Sequence, residues 1–161
     1  MIFIGIDPGL KGGLAVIDGS LIADLRIMPA VKVGNKKQLD ERQLVHLFKG
    51  WKSGTEITTY IELVGSRPGQ GVTSMFNFGL GWGIVRGILS GLSISYELVR
   101  PQAWKKVMLA GMPKGSEYQV ASRLWPDQSW MATPRCTTAH DGMIDAALIA
   151  EYGRRRWSGD K

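Results

Sequence analysis

Ile2-Phe3-Ile4-Gly5-Ile6-Asp7-Pro8-Gly9, followed after Leu10-Lys11-Gly12 by Gly13-Leu14-Ala15-Val16-Ile17, decides the architecture. Residues 2–6 are a short apolar run rich in β-branched side chains, stopped by a proline and a glycine, which reads as a buried strand ending in a turn. Residues 13–17 and 21–28 read as two more strands, and Asp18-Gly19 between them is a hairpin signal. Outward from this hairpin sheet the pattern changes period. Residues 30–39 are polar and basic and read as a loop. Leu44, Val45, Leu47 and Phe48 recur at helical spacing between Asp40 and Trp51. A strand is predicted over 57–64, with Glu62 near its end, then a loop over 65–73 and a glycine-rich helix over 74–90. Residues 92–99 read as a strand. Pro101 suits the first turn of a helix running through Trp104 and Leu109. Another helix starts near Ser116. The last runs from about Thr138 to the arginines at 154–156, which suit its negative end. The order predicts one mixed α/β domain over 1–161, with an antiparallel hairpin sheet extended by crossover strands and covered by helices.

Bulk properties narrow the function. The 161 residues include 44% apolar and 21% charged side chains, which excludes a disordered tail or a fibrous repeat. The single cysteine, Cys136, excludes an intramolecular disulfide framework and a multi-cysteine zinc site, and two histidines exclude a His-rich metal cluster. The opening residues are too short for a signal peptide, and no apolar run approaches the length of a membrane span. A cytoplasmic, reducing location is expected. Lys and Arg number 20 against 14 Asp and Glu, for a net charge of +6, and glycine occurs 21 times. A basic surface points to a polyanionic partner or to solubility alone.

Four acids stand out. Asp7 ends the strand expected to be most buried, where an unpaired carboxylate is rare, although it also suits a turn cap before Pro8. Glu62 interrupts the apolar strand Tyr60-Ile61-Glu62-Leu63-Val64; strand alternation could equally give it a solvated face. Asp141 and Asp145 are four apart on the last helix and share a face, where like charges need a cation or free solvation. Asp141 would also suit the positive helix N-terminus. Two strand-end carboxylates and two on a helix can hold two Mg²⁺ ions, which prefer oxygen ligands. A pair of such ions about 4 Å apart activates water for phosphodiester hydrolysis.

In these motifs the chain resembles the RuvC-like Holliday junction resolvases. Gly5-Ile6-Asp7-Pro8-Gly9 with the glycine-containing second strand is similar to their opening, and Ile61-Glu62 to their second acidic strand. Arg100-Pro101-Gln102-Ala103-Trp104-Lys105-Lys106 resembles their basic segment, and His140-Asp141-Gly142-Met143-Ile144-Asp145-Ala146-Ala147-Leu148-Ile149-Ala150 their closing helix. The match runs in order over nearly the whole chain, and its short form is that of the phage or organellar branch. The resemblance implies an RNase H-like fold with a mixed five-stranded sheet whose first three strands are antiparallel. It also implies a homodimer, and Mg²⁺-dependent paired nicking of four-way DNA junctions, with Mn²⁺ as a substitute. It carries catalytic and metal-binding roles onto Asp7, Glu62, Asp141 and Asp145. The setting would be a bacterial or phage-infected cytoplasm, or an organelle if the chain is a mature form. One departure matters: many bacterial members space the last two acids three apart, and here that position is Gly142. Asp141 is the natural substitute, and His140 the rival.

With four acids assigned to metal, ten remain against 20 basic residues. Between Leu63 and His140, eight basic residues face three acids, which suits phosphate neutralisation. Lys105, Lys106 and Lys114 match basic positions of the resembled family near the scissile phosphate. In the loop and helix start, Arg67, Gln70, Ser74 and Asn77 can donate to phosphates or base edges, and Phe76 is read as stacking on a base. Phe78, Trp82 and Ile84 are assigned to packing or a dimer contact, and the glycines at 79, 81, 83, 87 and 91 to close helix approach. The competing readings are a nuclease of the same superfamily acting on RNA or other branched DNA, and a protein that holds junctions without cutting them. An actin-like ATPase needs about twice this length.

Overall fold

The structure is a computed structural model and describes residues 1–63, 65, 69 and 71–159. Its strands are β1 (Ile2–Asp7), β2 (Gly13–Asp18), β3 (Leu21–Ile27), β4 (Ala30–Val33), β5 (Lys36–Leu39), β6 (Ile57–Glu62) and β7 (Tyr96–Val99). Its helices are α1 (Glu41–Lys52), α2 (Val72–Gly91), α3 (Pro101–Met108), α4 (Glu117–Leu124) and α5 (Asp141–Ser158). A mixed sheet runs β3-β2-β1-β6-β7. The first three strands pair antiparallel, and β6 and β7 run parallel to β1. β1 is the middle strand, and its residues 2–6 are buried on both faces, which explains an apolar run without alternation.

The sheet separates two cores. Ile2, Ile4, Ile6, Leu14, Val16 and Ile61 point to the side covered by α1 and α2. Phe3, Ala15, Ile17 and Tyr60 point to the side covered by α3, α4 and α5. The closest docking is that of α5 on β1, and it depends on missing side chains. A Cβ on Gly5 would lie 2.5 Å from the Ala150 nitrogen, and one on Gly13 would lie 2.8 Å from the Met143 Cα. Gly142, Ala146, Ala150 and Gly153 thus form a small-residue face that lets α5 lie on the strands, with Tyr60 filling the space above Gly153.

The boundaries differ from the sequence reading in several places. Residues 30–39 form a hairpin rather than a loop. Gly34, with φ +58°, is the first residue of its two-residue turn, and Ala30 faces Leu39 at its root. With residues 31–38 all exposed, no inward-facing alternation marks these strands. β7 starts at Tyr96, not Leu92, because Leu92 caps α2 and Ser93 turns with φ +52°. α2 begins at Val72, and α5 at Asp141, where His140 caps the helix. Arg155 and Arg156 lie in the last turn of α5 as expected, and the arginines also serve carboxylates: Arg154 and Arg155 pair with buried Glu151, and Arg156 pairs with Glu97.

Candidate active site

Asp7 and Glu62 end neighbouring parallel strands whose last paired rung is Ile6 with Ile61. Strand alternation settles their faces. Asp7 shares the phase of Phe3 and Gly5, and Glu62 that of Tyr60, so both lie on the α5 side. α5 reaches this rim because Gly142 meets Gly12 in an isolated parallel bridge, and the next turn brings in Asp145. Glu62 is therefore not on a solvated face, and Asp7 is not merely a turn cap.

Electrostatics record the convergence. Burial, then the charges of Glu62 and Asp145, push the Asp7 carboxyl up to about 8, against an opposing pull from Lys105. Burial raises Asp145 to about 7; Lys105 opposes this, while Glu62, Glu117 and, least, Asp141 add to it. The cluster thus comprises three carboxylates of mutual repulsion with one ammonium among them. Burial disfavours the charge on Lys105, but Glu117, Asp145 and Glu62 outweigh it and hold the ammonium above its usual range. The Nζ of Lys105 donates to Glu117 at 2.8 Å and lies 4.9 Å from the Trp104 ring centre.

Trp104 and Glu117 are the functional residues that sequence reasoning missed. Trp104 is fully buried, and its Nε1–H donates to Glu62 Oε1 at 2.9 Å, fixing the carboxylate. Its signal was partial: Trp104 sits inside the basic segment after β7 and a buried indole usually donates, although those of Trp82 and Trp130 are buried here without a partner among the described residues. Glu117 left no signal, since it lies on a different helix from its lysine. Trp104→Phe removes the donor and leaves Glu62 with an unmet acceptor. The variant is expected to lose about 2 kcal/mol of stability in urea unfolding.

The other predicted residues divide. Asp141 stands exposed at the start of α5, at the margin of the cluster. His140 uses its Nδ1 to accept the Met143 N–H at 3.3 Å, so that nitrogen serves the helix cap. Position 142 has no room for a ligand: a Cβ there would lie 2.6 Å from the Gly12 Cα. Ser74, Phe76, Asn77, Lys106 and Lys114 are exposed; Arg67 and Gln70 lie outside the described residues. Phe78 lies against Gly9, while Trp82 and Ile84 pack on the core. Gly81 meets Leu39, whereas Gly79, Gly83, Gly87 and Gly91 face open space.

Among the described residues no three His, Cys, Asp or Glu side chains stand close enough together to hold a metal ion as they are. The donor set still fits a hard divalent cation. All its members are carboxylates; burial first, and then their repulsion, disfavours the charge on Asp7 and Asp145, and a bound cation would offset both.

The sequence matches no protein-family model and no curated protein. Solved structures do match. Thermus thermophilus RuvC superposes with TM-score 0.60 at 16% identity, over 99% of this chain and 98% of that one. T. thermophilus RuvC in complex with Holliday junction substrate gives 0.61 at 15%, over 99% and 97%. The yeast mitochondrial Holliday junction resolvase Ydc2 gives 0.59 at 17%, over 98% and 78%. Along nearly its whole length, the chain has the RNase H-like fold of the RuvC and Ydc2 resolvases.

Proposed function

We propose that the chain is a divalent-metal-dependent endonuclease that resolves four-way DNA junctions by paired nicks, acting as a homodimer. The observation that carries this reading is the convergence of Asp7, Glu62 and Asp145, from β1, β6 and α5, beside Lys105. The fold adds support, since one solved example holds a Holliday junction.

Asp7, Glu62 and Asp145 would hold Mg²⁺, or Mn²⁺ in its place, with Asp141 as an outer ligand to a second ion. When bound, such ions activate a water and stabilise the leaving oxygen of a phosphodiester. The rest is work for the chain's own groups. Trp104 keeps one Glu62 oxygen oriented. Lys105 brings a positive charge to the place where phosphate charge develops, and Glu117 holds that lysine in position. Asp7 and Asp145 must lose their protons to act, so metal loading releases protons and strengthens as pH rises through about 7 to 8. Ser74, Asn77, Lys106 and Lys114, all exposed, are assigned to the DNA backbone, as Arg67 and Gln70 are from the sequence.

The dimer reading rests on α2. Val72, Phe76, Gly79, Leu80, Gly83 and Gly87 fall within a stripe about 100° wide, and all six are exposed. Bulky apolar residues at one end and glycines along the rest fit close packing on a second copy of the helix. Phe76, 68% exposed, is assigned to this stripe rather than to base stacking.

The test is a side-by-side substrate panel with Mg²⁺. A four-way junction is expected to be cut while linear duplex and RNA–DNA hybrid stay intact. Preferential cutting of the hybrid would make the chain an RNA-directed nuclease. Junction binding without cutting would make it a structural binder.

A further inference from the structure

The β4–β5 hairpin takes no part in the carboxylate cluster, yet it has a fixed root and a free tip. Met28 and Pro29 are buried. The Met28 N–H donates to the Gly12 carbonyl at 2.9 Å, and the Asp40 N–H to the Pro29 carbonyl at 3.0 Å. Leu39, 5% exposed, lies against Gly81 of α2. Beyond this root, residues 31–38 are all exposed.

Its charge pattern is unfavourable for a hairpin standing alone. The ladder puts Lys32 directly opposite Lys37, with Lys36 opposite Val33 at the tip. Like charges across an antiparallel rung destabilise it, and a two-stranded ribbon is marginal already. No acid occurs between Asp24 and Asp40, and Asp24 is held by Arg26. Among the described residues none of the three lysines makes an ion pair. An anionic partner would turn this repulsive rung into a two-pronged contact.

Topology says where that partner lies. β3 ends at Ile27, opposite Gly13, and Gly13 pairs with Asp7 across β1 and β2. The hairpin therefore leaves the sheet at the Asp7 rim. Lys37 and Met143, the latter in the first turn of α5, line one surface cleft.

We propose that the β4–β5 hairpin is a second nucleic-acid contact, whose lysines bind the phosphates of a duplex arm leading away from the carboxylates, whatever its sequence. The choice of a duplex arm rests on the junction-cleaving reading, so the test reads binding apart from cleavage. The variant Lys32→Gln/Lys36→Gln/Lys37→Gln in the full chain is titrated with a four-way junction and a linear duplex over a range of salt. At about 0.1 M salt its binding should weaken roughly 10- to 100-fold, and the slope of log affinity against log salt should shrink by about 2 to 3. The triple Lys→Arg variant should keep both affinity and slope, and so should Lys49→Gln, on exposed α1 surface. Circular dichroism and thermal melting check that the fold is intact. Unchanged affinity and slope in the folded Gln variant would show a merely solvated arm and overturn the proposal, whether or not the chain cuts junctions. Loss of affinity and slope supports it even if no substrate is cut, in which case only the nuclease reading fails.

Discussion

Asp7→Asn is expected to keep junction binding and to lower cleavage roughly 10³-fold, comparable to losing a principal electrostatic group from an active site. Asn keeps the shape of the side chain but cannot supply a charged oxygen to a cation. The same substitution gives a second readout without substrate. In the metal-free fold the Asp7 carboxyl is raised from 3.8 to about 8. Between those values the folded chain holds a proton that the unfolded chain releases, so stability falls as pH rises across this window. Asn removes the Asp7 share of that dependence, leaving that of Asp145, and the metal-free variant should melt higher than wild type at pH 8. Added Mg²⁺ should raise the melting temperature of wild type, by relieving the repulsion among Asp7, Glu62 and Asp145, and should raise that of the variant much less. A wild-type melting temperature indifferent to Mg²⁺ and Mn²⁺ would contradict the metal assignment.

Gly142→Ala is expected to lower the melting temperature by about 6–12 °C, corresponding to roughly 3 kcal/mol. In an open helix the change would stabilise by up to about 1 kcal/mol. Here the added methyl meets the backbone of Lys11 and Gly12, 2.6 Å from the Gly12 Cα, and backbone cannot yield as a flexible side chain can. Relief requires α5 to lift from the β1–β2 turn, which carries Asp145 away from Asp7, so cleavage should fall along with stability. Gly50→Ala supplies the contrast: it sits in α1 with no atom within 4 Å of a Cβ, and it should leave stability unchanged or slightly raised. Equal melting of Gly142→Ala and wild type would mean that α5 is not docked through this contact.

The steric crowding at position 142 also explains a feature that the sequence alone left puzzling. The resembled family often carries an acid three residues before its last one, and here no side chain of any kind fits there. Much of the rest was legible. The run 2–6 stopped by Asp7-Pro8-Gly9 identified the central strand, and Asp18-Gly19 the hairpin beside it. The faces of Asp7 and Glu62 were open until the packing of Phe3, Gly5 and Tyr60 against α5 set their phase, because alternation names two faces without saying which one a helix covers. The 30–39 hairpin was obscured because its strands are four residues each and both are exposed beyond the root, so no buried alternation marks them. Trp104 could have been suspected, since it lies inside the basic segment and a buried indole usually donates to an acceptor. The pairing of Lys105 with Glu117 could not, because it depends on how α3 and α4 come together.

A single-turnover reaction on a four-way junction, with both products mapped to the nucleotide, tests the nuclease assignment at its core. Two nicks at symmetry-related positions on opposing strands, requiring a divalent cation and absent in Asp7→Asn, are the predicted result. Unpaired nicks, or cutting that survives in Asp7→Asn, would contradict it.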